Sequence, residues 1–209
     1  MSEPITGAEE WAITWYGLGG RPGSLELHRQ LCAAYAEAQR TYHTLEHVEH
    51  CLAGLASHRG LATRPCEVAV ALWFHDAVYD PRASDNEACS ARWAEEALRA
   101  HEVAPDGVCR IRDMILATAH HGAAVEGDAA LVVDLDLAIL GQPPPVFDRY
   151  DAQIRIEFAW VDEVAYRTAR AGALRSFLLR DTIYRCDPIR DRYETQARAN
   201  LRRAIARLA

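Results

Sequence analysis

Residues 71–79 read Ala-Leu-Trp-Phe-His-Asp-Ala-Val-Tyr, so a histidine and an aspartate interrupt a run that is otherwise apolar. Burying an ionised carboxylate is costly unless it is paired with a cation or bound to a metal. A neighbouring imidazole and carboxylate are also typical ligands of a divalent transition metal. His75 and Asp76 therefore have two interpretations, a metal site or a hydrogen-bonded pair that stabilises the core.

On both sides of this stretch the apolar residues recur with a helical period. Ser84 and Glu87 have the spacing of a capping box at the start of one helix, and the prolines within 142–145 break the chain. Only residues 131–133 offer a short alternative strand. We therefore predict an all-α fold in a single domain, residues 1–209. The predicted helices cover about 24–40, 44–58, 65–74, 84–101, 105–121, 129–140, 146–158, 162–180 and 188–208.

The composition is that of an ordinary globular domain, with 209 residues and a net charge of −7. An acidic chain is not expected to bind nucleic-acid backbones non-specifically, although a local metal ion can still attract a small phosphorylated substrate. No membrane span or secretory pattern is visible. The six cysteines lack C-x-x-C spacing, which predicts reduced core thiols in a cytoplasmic protein. The sequence leaves homo-oligomer formation open.

Two histidines precede the central stretch, His43 and His47, at the start of the predicted helix 44–58. Four residues apart, they project from nearly the same helix face. They are either partners in a site or two partly exposed polar residues. Another pair, His120 and His121, lies at a predicted helix end, where a histidine either reaches a metal or phosphate or only interacts with the helix dipole.

Two aspartates, Asp134 and Asp136, interrupt the ten residues 131–140, which are otherwise apolar. Side chains two apart on a helix diverge, so the two carboxylates do not easily meet the same partner. One interpretation is that an inward-facing aspartate needs a cation. The other is that one aspartate faces solvent while the other caps a nearby helix.

In chain order the candidates are a histidine, a His-Asp pair and an aspartate, each on a different predicted helix, as in metal sites of helical bundles. This order resembles the HD superfamily, named for its His…His-Asp…Asp ligands on a helical core. His47 and the doublet His75-Asp76 match the first ligands, and Asp136-Leu137-Ala138 resembles the element that supplies the last aspartate. The resemblance implies the metal ligands His47, His75, Asp76 and Asp136, with Asp134 as the competing choice.

The resemblance further implies a metal-binding core over about 42–140 and a C-terminal helical extension over about 146–209. Members of the group that the chain resembles are described as metal-dependent phosphohydrolases. The resemblance therefore implies cleavage of a phosphomonoester or phosphodiester of a small substrate, with a nucleotide preferred. The segment Tyr42-His43-x-x-x-His47 resembles the opening motif of the cyclic-nucleotide phosphodiesterases. That likeness makes His43 the proton donor to the leaving oxygen, while Asp76 binds metal and bridges a second ion or accepts a proton from water.

Four further positions are predicted to contact substrate, namely His121, His120, Asp80 and Asn86. Glu87 is either catalytic or explained by the capping box alone. The metal is one or two divalent ions of Mn, Fe, Co, Ni, Zn or Mg, because mixed imidazole and carboxylate ligation discriminates poorly among them. Asp80 stands where the phosphodiesterases have a further histidine, which leaves the metal count open.

Two other classes compete with a phosphohydrolase. One is an HD-type oxygenase with a di-iron centre, which iron content and oxygen uptake would reveal. The other is a non-catalytic nucleotide-binding module, which nucleotides would stabilise without turnover.

Overall fold

The computed structural model describes residues 7–19, 25–119 and 125–209. Within these ranges the chain forms ten α-helices and two short 3₁₀ helices, Arg59–Leu61 and Leu137–Gly141, and no strand. The all-α fold class is therefore confirmed. The α-helices are α1 Ala8–Tyr16, α2 Leu25–Ala34, α3 Leu45–Ser57, α4 Pro65–Phe74, α5 Asn86–Ala100, α6 Pro105–Ala119, α7 Gly127–Asp136, α8 Pro144–Glu157, α9 Glu163–Leu178 and α10 Asp187–Leu208.

The chain divides into two compact units, Met1–Val133 and Asp134–Ala209, and the boundary falls inside α7. The predicted core and extension place their boundary later, between about 140 and 146. That domain organisation stays a prediction.

Helix α4 is the centre of the first unit, where it packs against α1, α3, α5 and α6. All its residues from Val68 to Phe74 are buried, as expected for a helix that is apolar on every side. The buried Trp11 of α1 contacts the Trp73 ring edge-on, with the ring centroids 5.6 Å apart. The surroundings of α4 therefore hold its C-terminal end, and the His75-Asp76 pair that follows it, in a closely packed environment.

The start of α4 is fixed by two features. Pro65 occupies the first turn, where its missing N–H costs nothing. The carboxylate of Asp128 accepts hydrogen bonds from the backbone N–H groups of Thr63 and Arg64, at 2.8 and 2.9 Å. A side chain from α7 thus satisfies donors at the N-terminus of α4.

In the second unit, α10 packs against α8, α9 and the 3₁₀ helix Leu137–Gly141. The approach is close at Gly141, where an added Cβ would lie 2.8 Å from the carbonyl oxygen of Tyr193. The buried Asn200 side chain donates to the carbonyl oxygens of Leu140 and Gln142. These contacts require a residue without a side chain at position 141.

Several predicted bounds differ from the structure. Helix α2 ends at Ala34 instead of about Arg40, because the chain turns after Ala34 and Arg40 leads into the segment before α3. The capping box is wrong: α5 begins at Asn86 with Asp85 as its N-cap, and no side-chain capping bond forms. The possible strand at 131–133 is helical, and α1 was not predicted at all. Ser24, at the predicted start of the helix over about 24–40, lies outside the described residues.

No single helix in the described ranges has the length and apolar character needed to cross a membrane. A bent pair, Gly127–Gly141 with Pro144–Glu157, passes that test by length and composition only.

Candidate metal centre

His75 is the residue that caps the C-terminus of α4, and only 1% of its side chain is exposed. Its Nδ1 lies 2.8 Å from the carbonyl oxygen of Leu72. A carbonyl can only accept, so Nδ1 carries the proton and the neutral ring presents the lone pair of Nε2. This backbone contact is the type that orients an imidazole toward a metal ion.

His47 lies in the first turns of α3, and its side chain is as buried as that of His75. Its Nδ1 is 2.9 Å from the hydroxyl of Tyr42, and its Nε2 is 3.1 Å from Nε2 of His75. Both rings therefore engage Nδ1 with a partner on the protein. Both direct Nε2 toward the same point.

Asp76 completes this convergence, because its Oδ2 lies 3.0 Å from Nε2 of His75 and 3.6 Å from Nε2 of His47. His47 with its proton on Nε2 would donate within this group, whereas with its proton on Nδ1, donated to Tyr42, all three atoms are acceptors, and acceptors this close repel one another. A shared cation, either a proton or a metal ion, removes the repulsion. Around an ion with bonds of about 2.1 Å, adjacent ligand atoms lie about 3.0–3.4 Å apart, so the donor set fits a divalent transition metal.

Cys51 lies one turn beyond His47 and is the only fully buried cysteine of the chain. The ligand atoms of His47, Cys51 and His75 all lie within 4.8 Å of one another, and this group could hold a metal ion. The Cys51 Sγ is 4.0 Å from Nδ1 and 3.9 Å from Nε2 of His47, so it stands off the lone-pair direction of Nε2. Asp76 is better aligned than Cys51 with the two histidines.

Cys51 was not among the metal ligands predicted from the sequence. Its spacing of four from His47, on a helix that carries a candidate ligand, was the available signal. All six cysteines are free in the structure, but only Cys51 is buried, so the prediction of core thiols is wrong for the other five.

The charges around Asp76 favour its ionised form. Burial alone would raise the pKa of Asp76, but His75, together with His43 and His47, holds that pKa below its ordinary value. A carboxylate that stays ionised in a buried position is ready to bind a cation. The structure thus brings together three of the four predicted metal ligands.

His43 lies at the rim of this group and is half-buried. Its ring stacks on Tyr79, with centroids 4.3 Å apart and an interplanar angle of 30°, and lies 6.1 Å from the ring of His47. The charge of His43 also contributes to the lowered pKa of Asp76.

Three other predicted residues lie in the turn after α4, namely Asp80, and in the first turn of α5, namely Asn86 and Glu87. The side chain of Asn86 accepts from the backbone N–H of Asp80 and donates to its carbonyl oxygen, while the Asp80 carboxylate accepts from the N–H of Arg82. Glu87 is half-buried in the first turn of α5. Asp80 and Asn86 thus have a structural task here, and the substrate and catalytic roles of all three stay predictions.

The last two aspartates of α7, Asp134 and Asp136, belong to the second unit. Asp134 is fully buried, and its carboxylate accepts from the backbone N–H groups of Arg185, at 2.8 and 3.0 Å, and Cys186, at 2.6 Å. Since Cys186 is the N-cap of α10, Asp134 satisfies donors at the start of that helix. Asp134 therefore needs no cation, and its alternative role as a metal ligand is not supported.

Asp136 is half-buried, and its metal-binding role stays a prediction. His120 and His121 lie outside the described residues, so their roles stay predictions.

Comparisons of this chain with family models, with curated proteins and with solved structures found no match. The assignment to the HD superfamily therefore stays a prediction that depends on the residues described above.

Proposed function

We propose that the chain is a metal-dependent phosphohydrolase of the HD type, which cleaves a phosphomonoester or phosphodiester of a small substrate such as a nucleotide. The observation that supports this most strongly is the convergence of Nε2 of His47, Nε2 of His75 and Oδ2 of Asp76 within 3.6 Å. Three ligand atoms that converge at these distances suit a shared cation, whereas a structural His75-Asp76 pair needs no third member.

In this proposal His47, His75 and Asp76 hold the ion, Asp136 is the fourth ligand, and Cys51 supports the His47 ring from the side. A divalent ion bound there lowers the pKa of a bound water molecule and offsets negative charge on a phosphoryl group. Tyr42 and the Leu72 carbonyl keep the two imidazoles in the orientation that presents Nε2. The protein therefore contributes a preorganised set of ligands.

His43 is the proton donor in this proposal. A protonated imidazole at the rim can transfer its proton to the leaving alkoxide, while the ionised Asp76 can accept one from the attacking water. The ring of Tyr79 limits the motion of His43 by stacking.

The test is hydrolysis of p-nitrophenyl phosphate, bis(p-nitrophenyl) phosphate and a nucleotide panel by protein reconstituted with each of Mn, Fe, Co, Ni, Zn and Mg. We expect turnover with at least one metal, and a loss of about 100-fold or more in kcat for His43→Gln at unchanged metal content. His58→Gln, at the other end of α3, is the matched control and should behave like wild type. Absence of hydrolysis by metal-loaded wild-type protein would contradict the proposal.

A further inference from the structure

Arg40 is a buried cation next to the candidate metal centre. Its side chain is 0% exposed, which is costly for an arginine unless its donors are used. Nη1 donates to the carbonyl oxygens of His43 at 3.0 Å and Asp76 at 2.7 Å, and Nη2 donates to the carbonyl oxygen of Ala77 at 3.0 Å. Nε donates to the carboxylate of Glu37 at 3.2 Å. One guanidinium therefore joins the segment before α3 to the turn after α4.

The same guanidinium is part of an aromatic stack. Its central carbon lies 5.1 Å from the ring centroid of Tyr35 and 5.3 Å from that of Tyr79. Tyr79 in turn stacks on His43 with centroids 4.3 Å apart. The inner end is anchored because the Tyr35 hydroxyl donates to the carbonyl oxygen of Trp73 in α4. The stack thus connects the core to the rim of the site.

We propose that Arg40 is the positioning residue that sets His43 relative to Asp76, a role that rests on the proposed function for its effect on turnover. It holds the backbone of both residues through hydrogen bonds and the ring of His43 through Tyr79. A lysine can replace the charge, but its ammonium group lacks the planar fork that serves three carbonyl oxygens and lies flat between two rings. Position 40 therefore requires the shape of arginine.

The main experiment compares Arg40→Lys with Arg29→Lys, a control at an exposed arginine of α2. In the metal-loaded protein, we expect Arg40→Lys to lower kcat about 100-fold at unchanged KM and metal content, because a displacement of about 1 Å of a catalytic group has that effect. Arg29→Lys should match wild type. Unchanged kcat, or a loss of kcat only in proportion to lost metal or folded protein, would overturn the positioning role.

Tyr79 gives a second test, which remains useful if Arg40→Lys does not fold. Tyr79→Leu removes the stack and should lower kcat about tenfold, whereas Tyr79→Phe keeps the ring and should lower kcat less. Because both changes act through His43, the double variant Arg40→Lys/Tyr79→Leu should be no slower than Arg40→Lys alone. Equal rates for Tyr79→Phe and Tyr79→Leu would contradict the role of the stack.

A third measurement separates this inference from the proposed function, because it needs neither metal nor turnover. In the chelated protein, amide hydrogen exchange of residues 41–44 and 75–79 should accelerate about tenfold in Arg40→Lys, while exchange in α6 stays unchanged. If wild-type protein hydrolyses nothing but this joint acceleration occurs, the proposed function fails and the structural link through Arg40 stands. Acceleration in only one segment, or in none, would overturn the link.

Discussion

Asp76 and Asp134 are two carboxylates placed in apolar surroundings, yet their neighbours differ in kind. Asp76 is next to the ring nitrogens of His47 and His75, which present lone pairs, whereas Asp134 is surrounded by the backbone N–H groups of Arg185 and Cys186. Acceptors cannot satisfy a carboxylate, but donors can. Asp134 therefore needs no cation, whereas lone pairs beside Asp76 favour one.

The comparison shows that a buried aspartate in an apolar run does not by itself indicate a metal ligand. What decides is whether its nearest partners donate or accept. Burial raises both pKa values, but at Asp76 the charges of His75, His43 and His47 outweigh it and lower the pKa, while at Asp134 the amides of Cys186 and Arg185 offset only part of the rise.

The largest expected difference concerns stabilisation by metal. Co²⁺ or Zn²⁺ at about 1,000 times its Kd should stabilise wild-type protein by about 4 kcal/mol, because the ion binds only the folded state. Asp76→Asn should lose this stabilisation. Asp134→Asn should keep it, although its metal-free form should be less stable than metal-free wild type. Thermal unfolding with and without metal measures both. Equal stabilisation of the two variants would remove the distinction between the two carboxylates.

The second prediction concerns stability without metal, at pH 8 with a chelator present, where Asp134→Asn should be the less stable of the two variants. Asp134→Asn should lower the free energy of unfolding by about 2 kcal/mol, because its NH2 group replaces one of the two oxygens that accept from the amides of Arg185 and Cys186 and leaves a buried polar group unsatisfied. Asp76→Asn should cause no loss, since its amide N–H group can donate to an imidazole nitrogen. Urea unfolding gives both values. A larger loss for Asp76→Asn would indicate that His75-Asp76 is a structural pair.

The third prediction concerns Cys51, which shares the histidine cluster but is poorly aligned with Nε2 of His47. Cys51→Ala should cost about 1 kcal/mol of stability as a small buried cavity, while metal affinity stays unchanged. The Co²⁺-loaded wild type should also lack the near-ultraviolet charge-transfer band of a thiolate ligand. If the band is present and Cys51→Ala loses metal, then Cys51 replaces Asp76 in the ligand set.

The smallest expected effect is the pH dependence contributed by Asp134. Burial raises its pKa above the ordinary 3.8, so the folded protein binds this proton more readily than the unfolded chain does. The stability of wild type relative to Asp134→Asn should therefore be greatest near pH 4 and decline as the pH rises through the raised pKa. Urea unfolding of both proteins between pH 4 and 7 measures it. A difference that grows with pH would mean that the amides lower the pKa.

The helices near the site were predictable because their signals are local. The start of α4 at Pro65 and the extent of α3 within one residue follow from proline and from the apolar period. The end of α2 was not predictable in this way. There the chain leaves the helix before Arg40, whose guanidinium bonds to carbonyl groups about forty positions away along the chain.

The candidate site likewise has features that were predictable from the sequence and features that were not. The order of His47, His75 and Asp76 along the chain was enough to predict that they converge. The donors that satisfy Asp134 lie more than fifty positions away in the sequence, so no local pattern could distinguish it from Asp136. Cys51 was visible by its spacing from His47, but its direction relative to the ring needed coordinates.

We propose that Nε2 of His47, Nε2 of His75 and Oδ2 of Asp76 share a divalent metal ion. The most direct measurement is metal content by plasma mass spectrometry, on untagged protein purified without chelator and after reconstitution with Mn, Fe, Co, Ni or Zn, alongside Asp76→Asn and Asp134→Asn. We predict a stoichiometric transition metal in wild type and in Asp134→Asn, and none in Asp76→Asn. Metal-free wild-type protein after every reconstitution would contradict the claim and leave a protonated His75 as the shared cation of a structural pair.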